Sequence, residues 1–288
     1  MSAADADGFL ERLQAASAAP ATLHPSLARL EVRAEVGSTN AEAAALAAAG
    51  APHGTLVVAE RQTAGRGRLG RTWDSPPGVG VWASWVLRPP LPATEAPRLG
   101  LLASVAAAEA IRGWTGAAAL LKWPNDIEVA GRKVAGILAE LSTEGSGIRH
   151  VVLGIGINVN QAETDFPPPL AGRATSVRLA VGGPVDRFLL LRGLCARLAT
   201  WLTAEAEHGW RPVFRRWAEL DGAVGRPVRV HAEAGSQVGH VSGIDRAGAL
   251  QVRLESGETI RVEGGEVTWL AADADRPGAG GAVPREAA

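Results

Sequence analysis

Lysine is nearly absent from this chain: its 288 residues include 27 arginines but only two lysines, Lys122 and Lys133. Wherever a general positive charge suffices, the chain uses Arg. A compact ammonium on a flexible stem therefore marks a different task, a point charge against a phosphate or carboxylate oxygen. Cysteine is scarcer still. Cys195 alone cannot form an intramolecular disulfide, and its place in the apolar run Phe188 to Leu202 reads as a buried, inert thiol. The six histidines (His24, His53, His150, His208, His231, His240) lack ligand spacing, so no metal site is signalled. No segment reaches the ~18 apolar residues of a membrane span. Met1 to Ala19 has neither the basic start nor the apolar core of a signal peptide, which predicts a cytoplasmic protein. An excess of basic charge is missing too: the formal net charge is −1 and the pI about 6.6, which argues against a general nucleic-acid binder.

What is present suffices for one large domain and a small one. Residues 1–25 are Ala-rich and predict a loosely held N-terminal segment with one short amphipathic helix around Phe9 to Ala16. A strand at Leu30 to Glu35 leads through Gly37-Ser38-Thr39-Asn40 to a helix over Ala41 to Ala49, where Thr39 and Glu42 have the spacing of a capping box. Strands are predicted at Thr55 to Glu60, Val81 to Leu87 and Val151 to Val159. A Gly/Arg loop spans Gln62 to Gly80, a hairpin turns at Ala130-Gly131, and helices cover Arg98 to Trp114, Asp186 to Glu207 and Pro212 to Leu220. From Val224 the pattern changes to short strands with Gly turns, a small β-barrel. The expected division is 26–221 for an α/β domain and 222–271 for the barrel, with a disordered tail at 272–288.

Three segments could carry chemistry. Gly65-Arg66-Gly67-Arg68-Leu69-Gly70-Arg71-Thr72-Trp73 contains a formal G-x-G-x-x-G, but the run from Arg71 through Pro76-Pro77-Gly78 cannot continue as a helix, so the dinucleotide reading is rejected. Alternating Gly and Arg can instead close over an anion with backbone N–H groups and guanidinium forks; the bland alternative is a solvated surface loop. In Lys122-Trp123-Pro124-Asn125-Asp126, the proline lets Asn125 and Asp126 project from a strand end, with an ordinary turn as the alternative. Lys133 lies seven residues after Asp126, in an otherwise apolar strand. In Gly154-Ile155-Gly156-Ile157-Asn158 both glycines share one face with Asn158, leaving room for a flat ring or simply for tight packing under a helix.

Taken in order, Ser38-Thr39-Asn40, Gln62-x-x-Gly65-Arg66-Gly67-Arg68-x-Gly70-Arg71-x-Trp73, Lys122-Trp123-Pro124-Asn125-Asp126, Arg132-Lys133-x-Ala135-Gly136-Ile137-Leu138 and Gly154-Ile155-Gly156-Ile157-Asn158 resemble the biotin protein ligase family. The resemblance extends over roughly Val36 to Leu270 and includes Gly264-Gly265-Glu266. It implies an α/β catalytic domain with a mixed sheet, like the class II aminoacyl-tRNA synthetase core, followed by an SH3-like barrel. It also implies a reaction in which biotin and MgATP give biotinyl-5′-adenylate, whose biotinyl group then passes to a lysine of a biotin carboxyl carrier protein. Carried over, Ser38, Thr39, Asn40 and Gln62 hold biotin. Arg66, Gly67 and Arg68 close over its carboxylate and the α-phosphate, and Lys133 bridges the two. Lys122 binds ATP phosphates, with Asn125 also on the nucleotide side. Trp73 covers the adenine, Asn158 meets its edge, and Asp126 serves the incoming lysine. Only about 30 residues precede the core, which resembles the form without a DNA-binding domain, acting as monomer or homodimer with no DNA or membrane partner. The family's last barrel strand can end in an ATP-binding Arg; here the residues are Trp269-Leu270. Two rival readings are a lipoate ligase or octanoyltransferase, whose loop is instead of Arg-Arg-x-x-Gly-Gly-Gly type, and a non-enzymatic nucleic-acid binder using the Arg loop and Trp73.

Overall fold

The computed structural model describes residues 8–270 except 117, 146, 233–234 and 264–266. The expected tail at 272–288 and the Gly264-Gly265-Glu266 motif lie outside the described residues. In chain order the first unit contains α1 (Phe9–Ser17), β1 (Arg29–Val36), α2 (Thr39–Ala48), β2 (Thr55–Gln62), β3 (Gly80–Leu87), α3 (Ala96–Thr115), β4 (Ala119–Lys122), β5 (Asp126–Val129), β6 (Arg132–Glu144), β7 (Gly147–Asn158), α4 (Val177–Val181), α5 (Arg187–His208) and α6 (Arg211–Leu220). Its seven strands form one sheet in the order β1-β2-β3-β7-β6-β5-β4. Only β1 and β2 run parallel, joined through α2 as a parallel pair requires; the other neighbours are antiparallel, giving the mixed sheet expected.

Strand periodicity divides this sheet into two unlike faces. Along β7, Val151, Leu153, Ile155 and Ile157 are at most 2 % exposed and belong to the main core. That core includes α3, whose buried Ala103, Ala106, Ala107 and Ala110 are short enough to let the helix lie close on β6 and β7. The alternate residues of β7 face the other way: Val152 joins Ala43, Ala47, Val57 and Val86 in a small cluster beneath α2. Beyond it Gly154 and Gly156 add no side chain of their own to this face.

Some local expectations change. The capping box at Thr39 does not form: Ser38 flanks α2 without a side-chain bond to its first turn. Tertiary partners have claimed both side chains, since Glu42 accepts from Arg33 and Thr39 Oγ1 donates to Gln62. From Phe9 onward the N-terminal segment is firmly held. Phe9 and Leu13 are fully buried, the Phe9 ring lies 4.4 Å from the Arg187 guanidinium, and Arg12 pairs with Asp186 at 2.7 Å. Cys195 is the inert thiol expected, its pKa pushed up to about 12 by burial.

The second unit contains β8 (Pro227–Ala232), β9 (Gly235–Ile244), β10 (Leu250–Leu254), β11 (Thr259–Val262) and β12 (Val267–Trp269). They form an antiparallel sheet in the order β11-β10-β9-β8-β12. It is fastened to the first unit where Trp123 Nε1 donates to the Gly248 carbonyl at 3.0 Å and where Gly248 sits against Leu101 and Phe214.

Candidate active site

A cavity of about 810 Å³ opens on the glycine-bearing face of the large sheet. Ser38, Thr39, Asn40, Gln62, Arg66, Gly67, Arg68, Trp73, Lys122, Asn125, Asp126, Lys133 and Asn158 all line it. Segments up to 120 residues apart in the chain thus converge because α2 begins, the Gly/Arg loop returns, and β5, β6 and β7 run side by side at one place.

Lys133 reaches the cavity through an irregularity in the β5–β6 pairing. Asp126 lies opposite Gly136 and Ile127 opposite Ala135, but Glu128 lies opposite Lys133, so Val134 is an extra residue. The bulge lets Val134 and Ala135 both be buried while turning Lys133 toward the cavity, the re-aiming that bulges provide near sites. Its ammonium sits 2.6 Å from Asp126 Oδ1 and 5.0 Å from the centre of the Trp73 ring. Lys122 has its own carboxylate: its Nζ is 2.6 Å from Glu128 Oε1. Asp126 and Glu128 are two apart on β5 and therefore share a face, so each of the chain's two lysines is paired on a common surface. Between them and the loop lies Arg68, 3.5 Å from Asn125 Oδ1. Burial lowers the Arg68 pKa from its ordinary value; Asp126 opposes that shift and Arg71 adds to it. A partly buried guanidinium gains from an arriving anion.

The loop is more ordered than its composition suggests. Trp73 N donates to Gly65 O at 2.9 Å and Gly67 N to Arg71 O at 2.7 Å, a narrow ladder whose tip is Leu69 and Gly70, both with positive φ. Gly65 is required because a Cβ there would stand 2.4 Å from the Trp73 carbonyl oxygen. Glu140 ties the loop to the sheet: its Oε2 accepts from Arg66 at 3.0 Å and from Asn40 Nδ2 at 2.7 Å. Ser84 completes this polar end, donating from one hydroxyl position to Asn40 Oδ1 at 2.6 Å or Thr39 Oγ1 at 2.8 Å. Gln62 is engaged by Thr39 at its carbonyl and Ser75 at its amide nitrogen.

Residues 36–158 match the biotin/lipoate A/B protein ligase family and residues 223–268 match the biotin protein ligase C-terminal domain. The bifunctional ligase/repressor BirA of Bacillus subtilis is 41 % identical over 78 % of this chain and 69 % of its own length. A biotin–[acetyl-CoA-carboxylase] ligase of Paracoccus denitrificans is 36 % identical over 79 % of this chain and 95 % of its own. The chain belongs to the biotin protein ligase family. Its structure also matches that of an Aquifex aeolicus biotin protein ligase in complex with biotin and ATP, at 31 % identity and a TM-score of 0.72, covering 84 % of this chain and 98 % of the other.

In this ligase the two glycines of β7 make room for side chains rather than leaving empty floor. A Cβ on Gly154 would lie 2.0 Å from Asn40 Oδ1, and one on Gly156 would lie 2.7 Å from the Trp73 indole. The flat ring over the strand is therefore Trp73 itself, which also rests on Gly136 and meets Trp82 edge-on at 6.4 Å. Asn158 is buried and occupied, donating to Thr175 O at 3.1 Å and accepting from Gln161 Nε2 at 3.2 Å. Sequence reasoning missed Glu128, Glu140, Ser84 and Gln161. All but Ser84 and Glu140 line the same cavity, and the motifs do not mark them. The available clue was parity: Glu128 is two residues from Asp126, and Ser84 is two from Trp82 on β3.

Proposed function

We propose that this ligase converts biotin and MgATP to biotinyl-5′-adenylate and pyrophosphate, then transfers the biotinyl group to a lysine of a biotin carboxyl carrier domain of acetyl-CoA carboxylase or a related carboxylase. Biotin and ATP are its substrates, and Mg²⁺ arrives with the nucleotide. The observation that carries this reading is the placement of both lysines and the Arg loop around one cavity in a member of this family. Bringing a carboxylate to a polyphosphate requires neutralised charge and alignment, with little covalent work by the protein.

In the first step a biotin carboxylate oxygen attacks the α-phosphorus, and the bond from that phosphorus to the pyrophosphate bridging oxygen breaks. Arg68, Arg66 with the Gly67 amide, and Lys133 suit the two approaching anions, and Lys122 suits the phosphates beyond. Asn40, Thr39, Ser38 and Gln62 form the polar end for biotin, while Trp73, Asn125 and Asn158 form the nucleotide side. In the second step the carrier lysine, once neutral, attacks the acyl carbon. The carbon–oxygen bond to AMP breaks, AMP keeps the electron pair, and the amine's proton passes to a base. The Lys133–Asp126 pair links the steps: an anion that draws Lys133 away leaves Asp126 free to receive or orient the incoming amine.

The match at residues 223–268 to a biotin ligase C-terminal domain favours biotin over the lipoyl alternative. We assign residues 26–221 to catalysis and 222–271 to the small barrel. The formal net charge of −1, without the basic excess of a nucleic-acid binder, supports a role without DNA. No described helix is long and apolar enough to cross a membrane, and the cytoplasm is the proposed location. The test is transfer of labelled biotin to a purified carrier domain with MgATP, with lipoate as control. Wild-type protein should label it and Lys133→Ala should lose at least about 100-fold in rate, within the range for removing one charge-stabilising group. Lipoate transfer without biotin transfer would place the activity in the sister class, and no acyl transfer would sink the enzymatic reading.

A further inference from the structure

Lys122 at the end of β4, Glu128 in β5, Arg226 just before β8 and Trp269 at the end of β12 meet at one rim of the cavity, where the two units of the fold touch. Glu128 is held from both sides, by Lys122 Nζ at 2.6 Å on Oε1 and by Arg226 Nη1 at 2.9 Å on Oε2. Its side chain is only 10 % exposed. Both cations also lie over the Trp269 ring, 5.1 Å and 5.0 Å from its centre, a contact that keeps cationic groups at the rim. One carboxylate thus stands against two cations in a setting with limited screening, and the surplus charge is positive. Lys122, Glu128 and Trp269 line the cavity, with Arg226 one hydrogen bond behind.

Position along the strand gives this rim a specific anion. Asp126 and Glu128 are about 7 Å apart along β5, two residues at ~3.3 Å each. The first holds Lys133, proposed above for the carboxylate and α-phosphate, so a cation pair one step along the strand falls at the β- and γ-phosphates. We infer that Arg226 binds the pyrophosphate end of ATP together with Lys122, and that Glu128 is the occupant the polyphosphate displaces. This rests on the ligase reading. It gives the C-terminal unit a direct part in the first step: negative charge grows on pyrophosphate as the phosphorus–oxygen bond breaks, and an arginine fork can take two of its oxygens.

Biotin-dependent exchange of labelled pyrophosphate into ATP tests it, using the full chain as wild type, Arg226→Ala, Glu128→Gln and the double variant. Arg226→Ala should raise the KM for both ATP and pyrophosphate about tenfold, leaving the KM for biotin within about twofold. Glu128→Gln should move the same two constants the opposite way, by about threefold, because it removes the competing carboxylate; a merely structural cluster would make both variants worse. In the Glu128→Gln background the Arg226→Ala penalty should persist. If it vanishes, Arg226 acts only through Glu128 and the direct contact is wrong. Unchanged constants in Arg226→Ala overturn the inference alone, whereas no exchange by the wild type overturns the ligase reading and this inference with it.

Discussion

Neighbouring residues of β7 belong to two different materials. Ile155 and Ile157 enter a packed interior shared with the alanines of α3, where side chains from both elements fill the space. Gly154 and Gly156, between and beside them, contribute no side chain, and the space they leave is taken by Asn40 from α2 and Trp73 from the loop. One face is completed by its own strand; the other is completed by groups imported from distant segments. The first arrangement maximises burial, while the second holds side chains that can be moved by whatever binds.

The contrast is sharpest when adjacent positions are mutated. Ile157→Ala should lower stability by about 2–5 kcal/mol, the range for emptying a buried aliphatic site, while the folded fraction keeps its KM values; chemical denaturation beside steady-state kinetics checks both. Gly156→Ala should do the reverse. Its Cβ would press 2.7 Å from the Trp73 indole, lifting that ring and raising the KM for ATP at least about tenfold, equivalent to about 1.4 kcal/mol, with a small change in melting. An Ile157→Ala protein that melts normally, or a Gly156→Ala protein with wild-type kinetics, breaks the comparison. Glu140→Ala is a milder probe of the imported groups. It releases Arg66 and Asn40 together, but the pair is well exposed, at 44 % and 37 % for Arg66 and Glu140, so the KM for biotin should rise only about threefold, in keeping with exposed pairs worth under ~1 kcal/mol.

The smallest effect is expected at the far end of the same face. His150 is buried, and burial first, then Arg88 and Arg149, lower its pKa from the ordinary 6.5. The unfolded chain therefore takes up a proton at higher pH than the folded one. Stability from this group is complete above about 6.5 and is lost as pH falls from there through the folded value. His150→Gln should reduce the acid-side fall in Tm by about 1–2 °C, read by calorimetry on either side of the ordinary histidine pKa; an unchanged slope would show that other groups dominate.

Much of this could be read from the chain because its signals are local. Apolar, β-rich runs located β2, β3 and β7, the turn at Ala130 and Gly131, both with positive φ, located the β5–β6 hairpin, and lysine scarcity located the segment with two site cations. The parts that could not be read depend on pairing across the sheet. Nothing local in Arg132 to Leu138 announces that one residue will be extruded and Lys133 turned to the cavity. Glu128 and Glu140 look like ordinary strand carboxylates until their cationic partners, 98 residues away for Arg226 and 74 for Arg66, arrive in space. The capping box is absent for a related reason: the spacing of Thr39 and Glu42 suits one, but Gln62 and Arg33 take those side chains instead.

The scarcity of lysine has a consequence for the molecule's own safety. An acyl-adenylate is an indiscriminate acylating agent toward free amines, and a protein that makes one is the first surface it meets on escape. Here the only side-chain amines are Lys122 and Lys133, each paired with a carboxylate at 2.6 Å. The surface otherwise displays guanidinium groups, which stay protonated and unreactive at neutral pH. This chain accordingly presents its own product with only two side-chain amines, both at the cavity.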